Sequence, residues 1–445
     1  MHAGGSAGTP AAHVRVLIVY PRFERYIEAH PVLGELPPVV GMWKYKMPPA
    51  LGPQILATML QDDVQWRICD ANLRPLDYDE PWDLVAISFF TPQASSAYRI
   101  GDEFRARGVP VVMGGMHPSM IPDDVAPHCD AVCIGEAEGT WPAILADARA
   151  GALRPRYGPS RPEPSEWVRP RRDLFDAERD YDWFAGLVQA MRGCPRPCPY
   201  CNIPGIYGRD VRVRPPADVA DEIREHGGRE LYLTDGVGVV TNRATRRHPD
   251  GVLGAVAAQG GANLFLTSSL IFNARDDFLD LLAAAGTRSL YYTFGCEPIS
   301  RGLYAGDPAM SARAIDIAKR VQDRGIRFYA AFGLGFDEDE PALADRLLEY
   351  CARAGIITAE FFLATPFPNT PLYHQLAREG RLLHRDWSRY NGAHVVFRPK
   401  HFTPEALTET FLGLWRDFWI DKDVDRSLSC FQYRRGAPSP AASGD

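Results

Sequence analysis

The chain has 445 residues, a length that predicts two or three domains. Hydrophobic residues make up 46% of it and charged residues 24%, the proportions of a globular protein, which excludes a disordered or fibrous chain. Its 49 basic and 56 acidic residues give a net charge of -7, so no sequence-wide positive field is available to attract nucleic acid.

The N-terminal third alternates apolar runs with helix-length segments. The apolar runs that predict strands cover residues 14–21, 64–71, 83–90, 109–115 and 130–136, and helices are predicted over 51–61 and 95–107. Continuous β-branched runs separated by helices indicate strands that are buried on both faces. Residues 14–150 are therefore predicted to form a doubly wound, Rossmann-like parallel sheet, which would bind a ligand beyond the carboxyl ends of its strands.

Residues 151–185 are rich in Pro and Arg without periodicity and are predicted to be a linker. A second βα series follows, with strands predicted over 186–193, 230–236, 263–269, 289–297, 327–336 and 358–366 and helices over 278–285, 312–324 and 341–354. Six βα units are fewer than the eight that close a barrel, so residues 186–385 are predicted to form an open, partial (β/α)6 barrel. Residues 386–434 are predicted to form a C-terminal helical region, with a helix over 404–420, and residues 435–445 a disordered tail.

Nine cysteines in a chain with no sign of secretion favour metal or catalytic use over disulfides. Six of them are scattered and are predicted to be small core side chains. Cys194, Cys198 and Cys201 instead form a CxxxCxxC motif directly after the first strand of the second series. Three thiolates on one loop can hold three corners of a cubic iron–sulfur cluster and leave one iron open to a further ligand. A structural zinc site is the alternative, although no fourth Cys or His follows at zinc-finger spacing.

The CxxxCxxC motif, with an aromatic residue before its third cysteine, resembles the radical S-adenosylmethionine superfamily, and the six-unit βα series is similar to that family's partial barrel. The resemblance implies a four-iron, four-sulfur cluster on the three cysteines, whose free iron binds S-adenosylmethionine and whose electron cleaves it to a 5′-deoxyadenosyl radical. The residues that it assigns to S-adenosylmethionine are Tyr200, Asp235, Gly236, Glu297, Thr365 and Pro366. For Asp235 and Glu297 a helix-capping carboxylate is the alternative.

The N-terminal domain resembles the cobalamin-binding domain of the cobalamin-dependent members of that superfamily. The matching segments are GGMHPSMIPDDV and CIGEAEGTWP, with TPFPNTPLY and GFDED in the barrel as further matches. The resemblance implies cobalamin (vitamin B12) bound by Ser88, Thr91, Gly114, Gly115, His117, Pro118, Gly135, Glu136 and Glu138, with the two adjacent glycines giving a bulky ring room to approach. A doubly wound domain with no ligand or another nucleotide is the alternative, although no GxGxxG follows the first strand.

The DxHxxG motif, whose histidine ligates cobalt from below in many cobalamin-binding domains, is not in this sequence. We therefore expect cobalamin with its own base displaced and no histidine below the metal. His117 is expected to bond a side chain of the corrin, and Phe23, Tyr26 or Gln93 are candidates for the residues under the ring.

Within this family, a cobalamin site facing a cluster site implies C-methylation. We expect a cobalamin-dependent radical S-adenosylmethionine methyltransferase that acts on an unactivated carbon of a natural-product or lipid-like substrate. A radical oxidation, cyclisation or ring rearrangement without methyl transfer is the runner-up. A cobalamin or metal sensor and a zinc-stabilised binding module are hypotheses from other classes. Candidates for the substrate pocket are residues 41–49, Tyr291, Tyr292, Phe328 and Tyr329.

The expected partners are a small-molecule substrate and an external one-electron reductant of the flavodoxin or ferredoxin type, with no nucleic acid. No apolar run approaches the ~18 to 20 residues that span a bilayer, so no transmembrane segment is predicted. The N-terminus has no signal-peptide core, and we expect a cytoplasmic protein.

Overall fold

A computed structural model describes residues 14–36, 51–171, 173–174, 186–226, 230–234, 244–269, 274–295 and 297–421. Its N-terminal sheet has six parallel strands, which are β1 Val14–Tyr20, β2 Val64–Asp70, β3 Leu84–Ser88, β4 Val111–Gly114, β5 Ala131–Gly135 and β6 Arg156–Ser160. The strands lie side by side in the order β2-β1-β3-β4-β5-β6. The chain therefore reverses direction across the sheet between β1 and β3, at the kind of switch point where doubly wound sheets bind ligands.

Both faces of this sheet are buried, as the continuous apolar runs predict. In β1, Leu17 and Val19 belong to one core, whereas Val16 and Ile18 belong to a second core on the opposite face. The helices of this part of the chain are Tyr26–Ala29, Leu51–Thr58, Ala94–Ala106, Met116–Met120, Pro122–Val125 and Trp141–Arg149. Short 3-10 turns occupy Pro31–Glu35, Thr91–Gln93, Ala126–His128, Ala137–Gly139 and Pro164–Glu166.

The sixth strand, Arg156–Ser160, lies within the segment 151–185 that is predicted to be a linker, and the sequence pattern does not predict this strand. β6 is an edge strand, parallel to β5. An edge position tolerates Pro159, because a proline there does not remove a hydrogen bond needed by a neighbouring strand. The strand contains Gly and Pro and is exposed on its outer side. It therefore lacks the apolar pattern by which the other five strands are recognised in the sequence.

The second sheet is also parallel and contains β7 Gly186–Val188, β10 Leu231–Leu233, β11 Leu264–Thr267, β12 Thr287–Phe294, β13 Arg327–Leu334 and β14 Thr358–Leu363. Its order β14-β13-β12-β11-β10-β7 follows the chain, as in an open barrel. The prediction of one strand over residues 186–193 is wrong for its second half, because the strand in the barrel sheet ends at Val188. After β7 the chain leaves the sheet, and β8 Met191–Arg192 pairs antiparallel with β9 Arg212–Val213.

The helices after β7 include one after each of β10 to β14. Their bounds are Ile203–Tyr207, Pro216–Glu225, His248–Ala258, Asp276–Ala284, Pro298–Tyr304, Pro308–Gln322, Leu343–Ala354, Pro371–Arg378 and Pro404–Trp419, with a 3-10 turn at Trp387–Arg389. The predicted fold class, a doubly wound parallel sheet followed by a partial (β/α)6 barrel and a C-terminal helical region, is confirmed. The bounds of the domains remain predictions. Among the described helices, none combines the length and the apolar character needed to cross a membrane.

The last helix packs against β14 through the apolar residues that recur at helical spacing. Phe411, Leu414 and Trp415 are buried, and the Trp415 indole Nε1 donates a hydrogen bond of 3.2 Å to the Phe361 carbonyl of β14. The Phe361 and Trp415 rings meet edge to face, with centroids 5.7 Å apart. The C-terminal helix is thus part of the barrel core.

Trp415→Ala should lower the free energy of unfolding by about 3–5 kcal/mol, since it removes a large buried ring and the surrounding core refills the space only partly. Trp415→Phe should cost less because it keeps most of the apolar volume. Urea denaturation measures both, and Arg416→Ala, at the partly exposed next position, serves as the control. Wild-type resistance to urea in Trp415→Ala would contradict a core role for this helix.

Candidate active site

One cavity of about 1010 Å³ lies between the carboxyl edges of the two sheets. The last residues of five N-terminal strands line it, namely Tyr20, Asp70, Ser88, Gly114 and Gly135. Barrel residues line the opposite side, among them Tyr232, Thr267, Thr293 and Glu297. Its volume is at the upper end of the range for ligand pockets, and both edges that parallel α/β folds use for binding face into it.

The three cysteines of the CxxxCxxC motif all line this cavity. Their loop leaves the barrel after β7 and is closed by the β8–β9 hairpin, and the Cys194 backbone N–H donates a hydrogen bond of 3.0 Å to the Gly208 carbonyl. Gly193 precedes the loop with φ +95°, and a Cβ there would overlap the Asp210 carbonyl, so the turn requires glycine. Cys194 is buried, whereas Cys198 and Cys201 keep partial exposure.

Arg196, between the first two cysteines, ties the loop to the end of the barrel's β12. Its Nη2 lies 2.8 Å from Glu297 Oε1, and Glu297 is only 2% exposed. The Tyr292 hydroxyl lies 3.4 Å from the other carboxylate oxygen. The predicted site residue Glu297 thus faces the cavity, and its charge is paired with the cysteine loop.

Glu136 and Glu138, which follow β5, contact the hairpin that closes the cysteine loop. Arg192 donates to both, with Nη1 2.5 Å from Glu136 Oε2 and Nη2 2.7 Å from Glu138 Oε1, and Arg212 also pairs with Glu136. All but Arg212 are nearly completely buried. Burial alone lowers the pKa of Arg192, but Glu138 and Glu136 outweigh it and raise that pKa above its usual range. Both carboxylates line the cavity, yet their charges are neutralised by protein side chains.

Thr91 and His117, which are predicted to bind cobalamin, are buried in the protein and are not among the residues that line the cavity. His117 is completely buried; its Nδ1 lies 3.1 Å from Thr91 Oγ1 and its Nε2 2.9 Å from the Tyr98 hydroxyl. The expectation that His117 bonds a corrin side chain is corrected here, because both ring nitrogens are used inside the protein. Burial lowers its pKa to about 4, so the ring is neutral near pH 7. Pro118 is also buried.

Comparison with known proteins bears on both halves of the chain. A family model described as "B12 binding domain" matches residues 40–145. The chain is 28% identical over 362 residues to bacteriochlorophyllide d C-12(1)-methyltransferase from Chlorobaculum tepidum, covering 76% of this chain and 75% of that protein. The fold is similar to that of the radical S-adenosylmethionine methyltransferase TsrM from Kitasatospora setae, solved with tryptophan substrate and an S-adenosylmethionine analog, with a TM-score of 0.63 and 18% identity over 82% of this chain and 76% of that one.

A second similar fold is that of the cobalamin-dependent S-adenosylmethionine radical enzyme OxsB with aqua-cobalamin bound, at a TM-score of 0.59 and 11% identity over 91% of this chain and 67% of that one. The B12-binding match and the three-cysteine loop at the mouth of a partial barrel occur together in this chain. The chain therefore contains a segment that matches a B12-binding domain, and its fold is similar to that of cobalamin-dependent radical S-adenosylmethionine enzymes. The match indicates cobalamin as a cofactor, and the similar fold of TsrM has also been solved with cobalamin and a [4Fe-4S] cluster bound.

The residues that line the cavity fit cobalamin, a [4Fe-4S] cluster and S-adenosylmethionine. The cluster would be held by the thiols of Cys194, Cys198 and Cys201, which share one wall of the cavity. Ser268 and Ser269, at the carboxyl end of β11, give the adjoining wall polar groups suited to S-adenosylmethionine. The opposite wall, where cobalamin would lie, is largely apolar and includes Ile55, Leu56, Phe89, Trp141 and Ile144.

Gly114 and Gly115 are predicted to give the corrin ring room to approach, but the structure shows a different reason why glycine is needed at these two positions. Gly115 has φ +100°, and a Cβ there would lie 2.8 Å from both the backbone N and O of Phe89. A Cβ on Gly114 would lie 3.2 Å from Cβ of Cys133. The close approach that requires these glycines is therefore between strands of the protein, so their expected role of admitting the corrin ring is not needed to explain them.

The other predicted residues divide into three groups. Those that line the cavity are Tyr200, Ser88, Gly135, Phe23, Tyr291, Tyr292 and Tyr329. Those outside the described residues are Asp235, Gly236 and the segment 41–49. Those with protein contacts and no place among the described lining residues are Thr365, Pro366, Tyr26, Gln93 and Phe328. Gln93, for example, donates to the Pro21 carbonyl at 2.6 Å, and the Thr365 hydroxyl donates to the Leu363 carbonyl at 3.0 Å.

Sequence reasoning missed several charged residues of the cavity, above all Arg192, Arg196 and Glu360, and it missed Arg212, which pairs with the cavity-lining Glu136. Glu360 interrupts the apolar strand TAEFFL, and Arg192 directly precedes the glycine of the cysteine loop. A charged residue inside an otherwise buried segment is a sequence signal for a buried polar cluster. Neither signal reveals the partner, because the partners lie far away along the chain.

Cys198→Ala should reduce the iron content of the anaerobically reconstituted protein from about four atoms per chain to a small fraction, since two thiolates hold a cubane poorly. The measurement is iron and sulfide per chain together with the visible absorption. Cys129→Ala is the matched control, because Cys129 is a buried core cysteine whose thiol contacts the Val125 carbonyl. Retention of four irons by Cys198→Ala would refute the ligand assignment.

His117 should make the free energy of unfolding depend on pH. The unfolded imidazole takes up a proton near its ordinary pKa of 6.5, whereas the folded one does so only near 4, so the unfolded state binds more protons between these values. Stability is full above pH 6.5 and should fall by about 2 kcal/mol between pH 7 and pH 5 on account of this residue.

Urea denaturation at pH 7 and pH 5 measures that loss. His117→Gln cannot titrate in this range and should lack this part of the pH dependence, while the variant His401→Gln, at an exposed position, should resemble the wild type. Equal pH dependence in His117→Gln and wild type would show that the buried imidazole does not act in this way.

Proposed function

We propose that this enzyme methylates an unactivated carbon of a natural-product or lipid-like substrate through a 5′-deoxyadenosyl radical. The observation that supports the proposal is the single cavity that has the three cysteines on one wall and the carboxyl ends of β1 to β5 on another. A substrate bound in this cavity lies between the cluster site and the cobalamin site. Relatives that are named methyltransferases favour methyl transfer over cyclisation or rearrangement.

When bound, the three cofactors supply an electron, a carbon-centred radical and a methyl group. The protein's own residues orient them and the substrate. Arg196 and Glu297 tie the cysteine loop to the end of β12, and the Arg192 ion pairs fix that loop relative to the N-terminal sheet. Such positioning contributes to rate because reacting groups are held at a productive distance and water is kept away.

The wall beside the strand ends of the N-terminal sheet has a composition suited to a large ligand with an apolar face, such as cobalamin. Next to the strand ends, helix Leu51–Thr58 contributes Leu51, Ile55 and Leu56, and the aromatic side chains Phe89, Phe90 and Trp141 adjoin them. Pockets of this kind bind the apolar body of a ligand and orient it with a few polar groups. We propose that cobalamin binds here with its own base displaced and without a protein histidine below the cobalt, because His117 is occupied by Thr91 and Tyr98.

Each radical cleavage uses one electron from outside the enzyme. The proposal therefore includes an external one-electron reductant of the flavodoxin or ferredoxin type, and we assign the enzyme to the cytoplasm, where reduced carriers are available. The expected oxygen sensitivity of the cluster agrees with a reducing compartment.

Reduced, reconstituted holoenzyme supplied with S-adenosylmethionine labelled in its methyl group should give a labelled product and 5′-deoxyadenosine together. Tetrapyrroles, hopanoids, peptides and small antibiotic precursors are the substrates to screen, and mass spectrometry measures both products. Cys198→Ala should form neither, whereas Cys129→Ala should form both at rates near those of the wild type. Formation of 5′-deoxyadenosine with every substrate bound but no methyl transfer would favour a radical rearrangement or cyclisation instead.

A further inference from the structure

The floor of the cavity is formed by one inward-facing residue from each of the strands β10 to β14, in the order Tyr232, Phe265, Tyr291, Tyr329 and Glu360. We call these five residues the aromatic cage. Tyr232 pairs across the sheet with Phe265, and Tyr291 pairs with Tyr329. The ring centroids are 5.0 Å apart in the first pair and 5.1 Å in the second, and Phe265 lies 6.1 Å from both Tyr291 and Tyr329.

Glu360 is the single charged member of the aromatic cage. The Tyr291 hydroxyl donates to its Oε1 at 2.5 Å and the Tyr329 hydroxyl to its Oε2 at 2.8 Å. A carboxylate offers about four acceptor positions, so the two tyrosines leave acceptor capacity on the side of the cavity. Among the ion pairs between described residues, none includes Glu360. Burial raises the pKa of Glu360, and the hydrogen bonds from the two hydroxyls partly oppose this effect. Such a shift is typical of a buried carboxylate that has no cation beside it.

A purely structural role does not explain this arrangement. Glu360, Tyr232 and Tyr291 keep partial exposure although they lie inside the barrel, because the cavity reaches them. A carboxylate placed among aromatic rings without a cation is costly, and an apolar side chain would fill the same space at lower cost. The next residue of the strand, Phe361, is completely buried in the core behind.

We propose that the aromatic cage binds a positively charged nitrogen of the substrate, a protonated amine whose N–H groups donate to Glu360 and whose charge rests against the tyrosine and phenylalanine rings. Aromatic faces attract cations, and the attraction is strongest in sites removed from water. Hydrogen bonds between an ammonium and a carboxylate are short and strong for the same reason. The inference rests on the proposed function, because it assumes that the substrate occupies this cavity, and it narrows the substrate class to molecules with a basic nitrogen at one end.

S-adenosylmethionine is itself a cation and is the second source of the same chemistry. The cysteine loop and Glu297 lie at the carboxyl end of the barrel strands, whereas Tyr291 and Glu360 lie earlier along β12 and β14. Tyr291 precedes the cavity-lining Thr293 by two residues on the same face of β12. The aromatic cage is therefore one layer deeper than the residues next to the cluster, which favours the substrate as its occupant.

The test compares a cation with a neutral molecule of the same shape. Reconstituted holoenzyme with saturating S-adenosylmethionine is titrated by calorimetry with cyclohexylammonium and, separately, with cyclohexanol. The cation should bind at least ten-fold more tightly. Glu360→Gln keeps the size and hydrogen-bonding capacity of the side chain but removes its charge, so the preference for the cation should disappear while cyclohexanol binding stays unchanged. Tyr291→Phe keeps the ring, removes one hydroxyl from Glu360 and should reduce the preference only in part.

Glu349→Gln is the matched control, because Glu349 is an exposed carboxylate on the outer helix Leu343–Ala354, paired with Arg353. It should leave all affinities unchanged. Iron and cobalamin content and far-ultraviolet circular dichroism establish that each variant is folded and loaded. Equal affinities for the cation and the alcohol in the wild type, or an unchanged preference in Glu360→Gln, would overturn the inference.

A separate titration with S-adenosylmethionine distinguishes the two sources of positive charge. If Glu360→Gln weakens S-adenosylmethionine binding ten-fold and cyclohexylammonium competes with S-adenosylmethionine, the aromatic cage belongs to the cofactor and the substrate assignment is wrong. Unchanged S-adenosylmethionine affinity supports the assignment. Formation of 5′-deoxyadenosine by the same preparations tests the proposed function independently. If it forms while the cation preference is missing, the inference alone fails, and if it never forms in the presence of bound cofactors, the proposed function fails.

Discussion

The ion pairs of Arg192 with Glu136 and Glu138 join the hairpin that closes the cysteine loop to the N-terminal sheet. Each of the three side chains is almost inaccessible to solvent, and among the described residues their charges are compensated by one another and by Arg212. Removing one partner from such a group costs about 3–5 kcal/mol, because the remaining charge stays buried without compensation. The two carboxylates follow β5 and the two arginines face each other across the β8–β9 hairpin, and the same contact therefore fixes both walls of the cavity.

The segment between the two sheets contributes to this junction. The guanidinium carbons of Arg192 and Arg212 lie 4.3 Å and 5.5 Å from the centroid of the Trp167 ring. An aromatic face over a guanidinium stabilises the cation and excludes water from the ion pairs. Further contacts between the two halves lie at the other end of the cysteine loop, where the Asn369 amide donates to the Met120 carbonyl and Trp387 Nε1 donates to Asp124. The width of the cavity is thus determined on both sides of the loop.

The cavity is arranged in layers along the barrel axis. The cysteine loop, Arg196 and Glu297 lie at the carboxyl end of the strands, hydroxyl side chains such as Thr267 and Thr293 follow, and the aromatic cage closes the floor. Polar groups near the cofactors are paired, as in the contact between Arg196 and Glu297. The carboxylate of the floor has hydroxyl partners only, among the described residues. About one layer of side chains therefore separates the cysteine loop, at the mouth of the barrel, from the aromatic cage, which we propose to bind the substrate at the floor of the cavity.

Residues that act together over a short stretch of chain were accessible to sequence reasoning, and those that act through distant partners were not. The three cysteines lie within eight residues, and their spacing together with the family resemblance predicts that they hold an iron–sulfur cluster. Glu136 is expected from its position to contact cobalamin, but its charge is paired with Arg192, which is 56 residues away. His117 is 26 residues from Thr91, and their hydrogen bond inside the core was invisible in the pattern around either residue. Phe328, a pocket candidate by type, proved to be core because neighbouring residues of a strand point to opposite faces.

The amino-acid sequence alone predicted the two βα series and the open barrel, and its resemblance to a known family predicted the cobalamin-binding character of the first domain and the cysteines proposed to hold the cluster. Strands and helices follow from local hydrophobic periodicity, and the family resemblance rests on short motifs. Both can be recognised within a few neighbouring residues. Only the tertiary structure decided which charges neutralise each other, which glycines are required by packing, and that five strands place four rings and a carboxylate around one point. Those outcomes depend on the register between strands and on the contacts between sheets. Both bring together residues that are far apart along the chain, and they arise only when the chain folds.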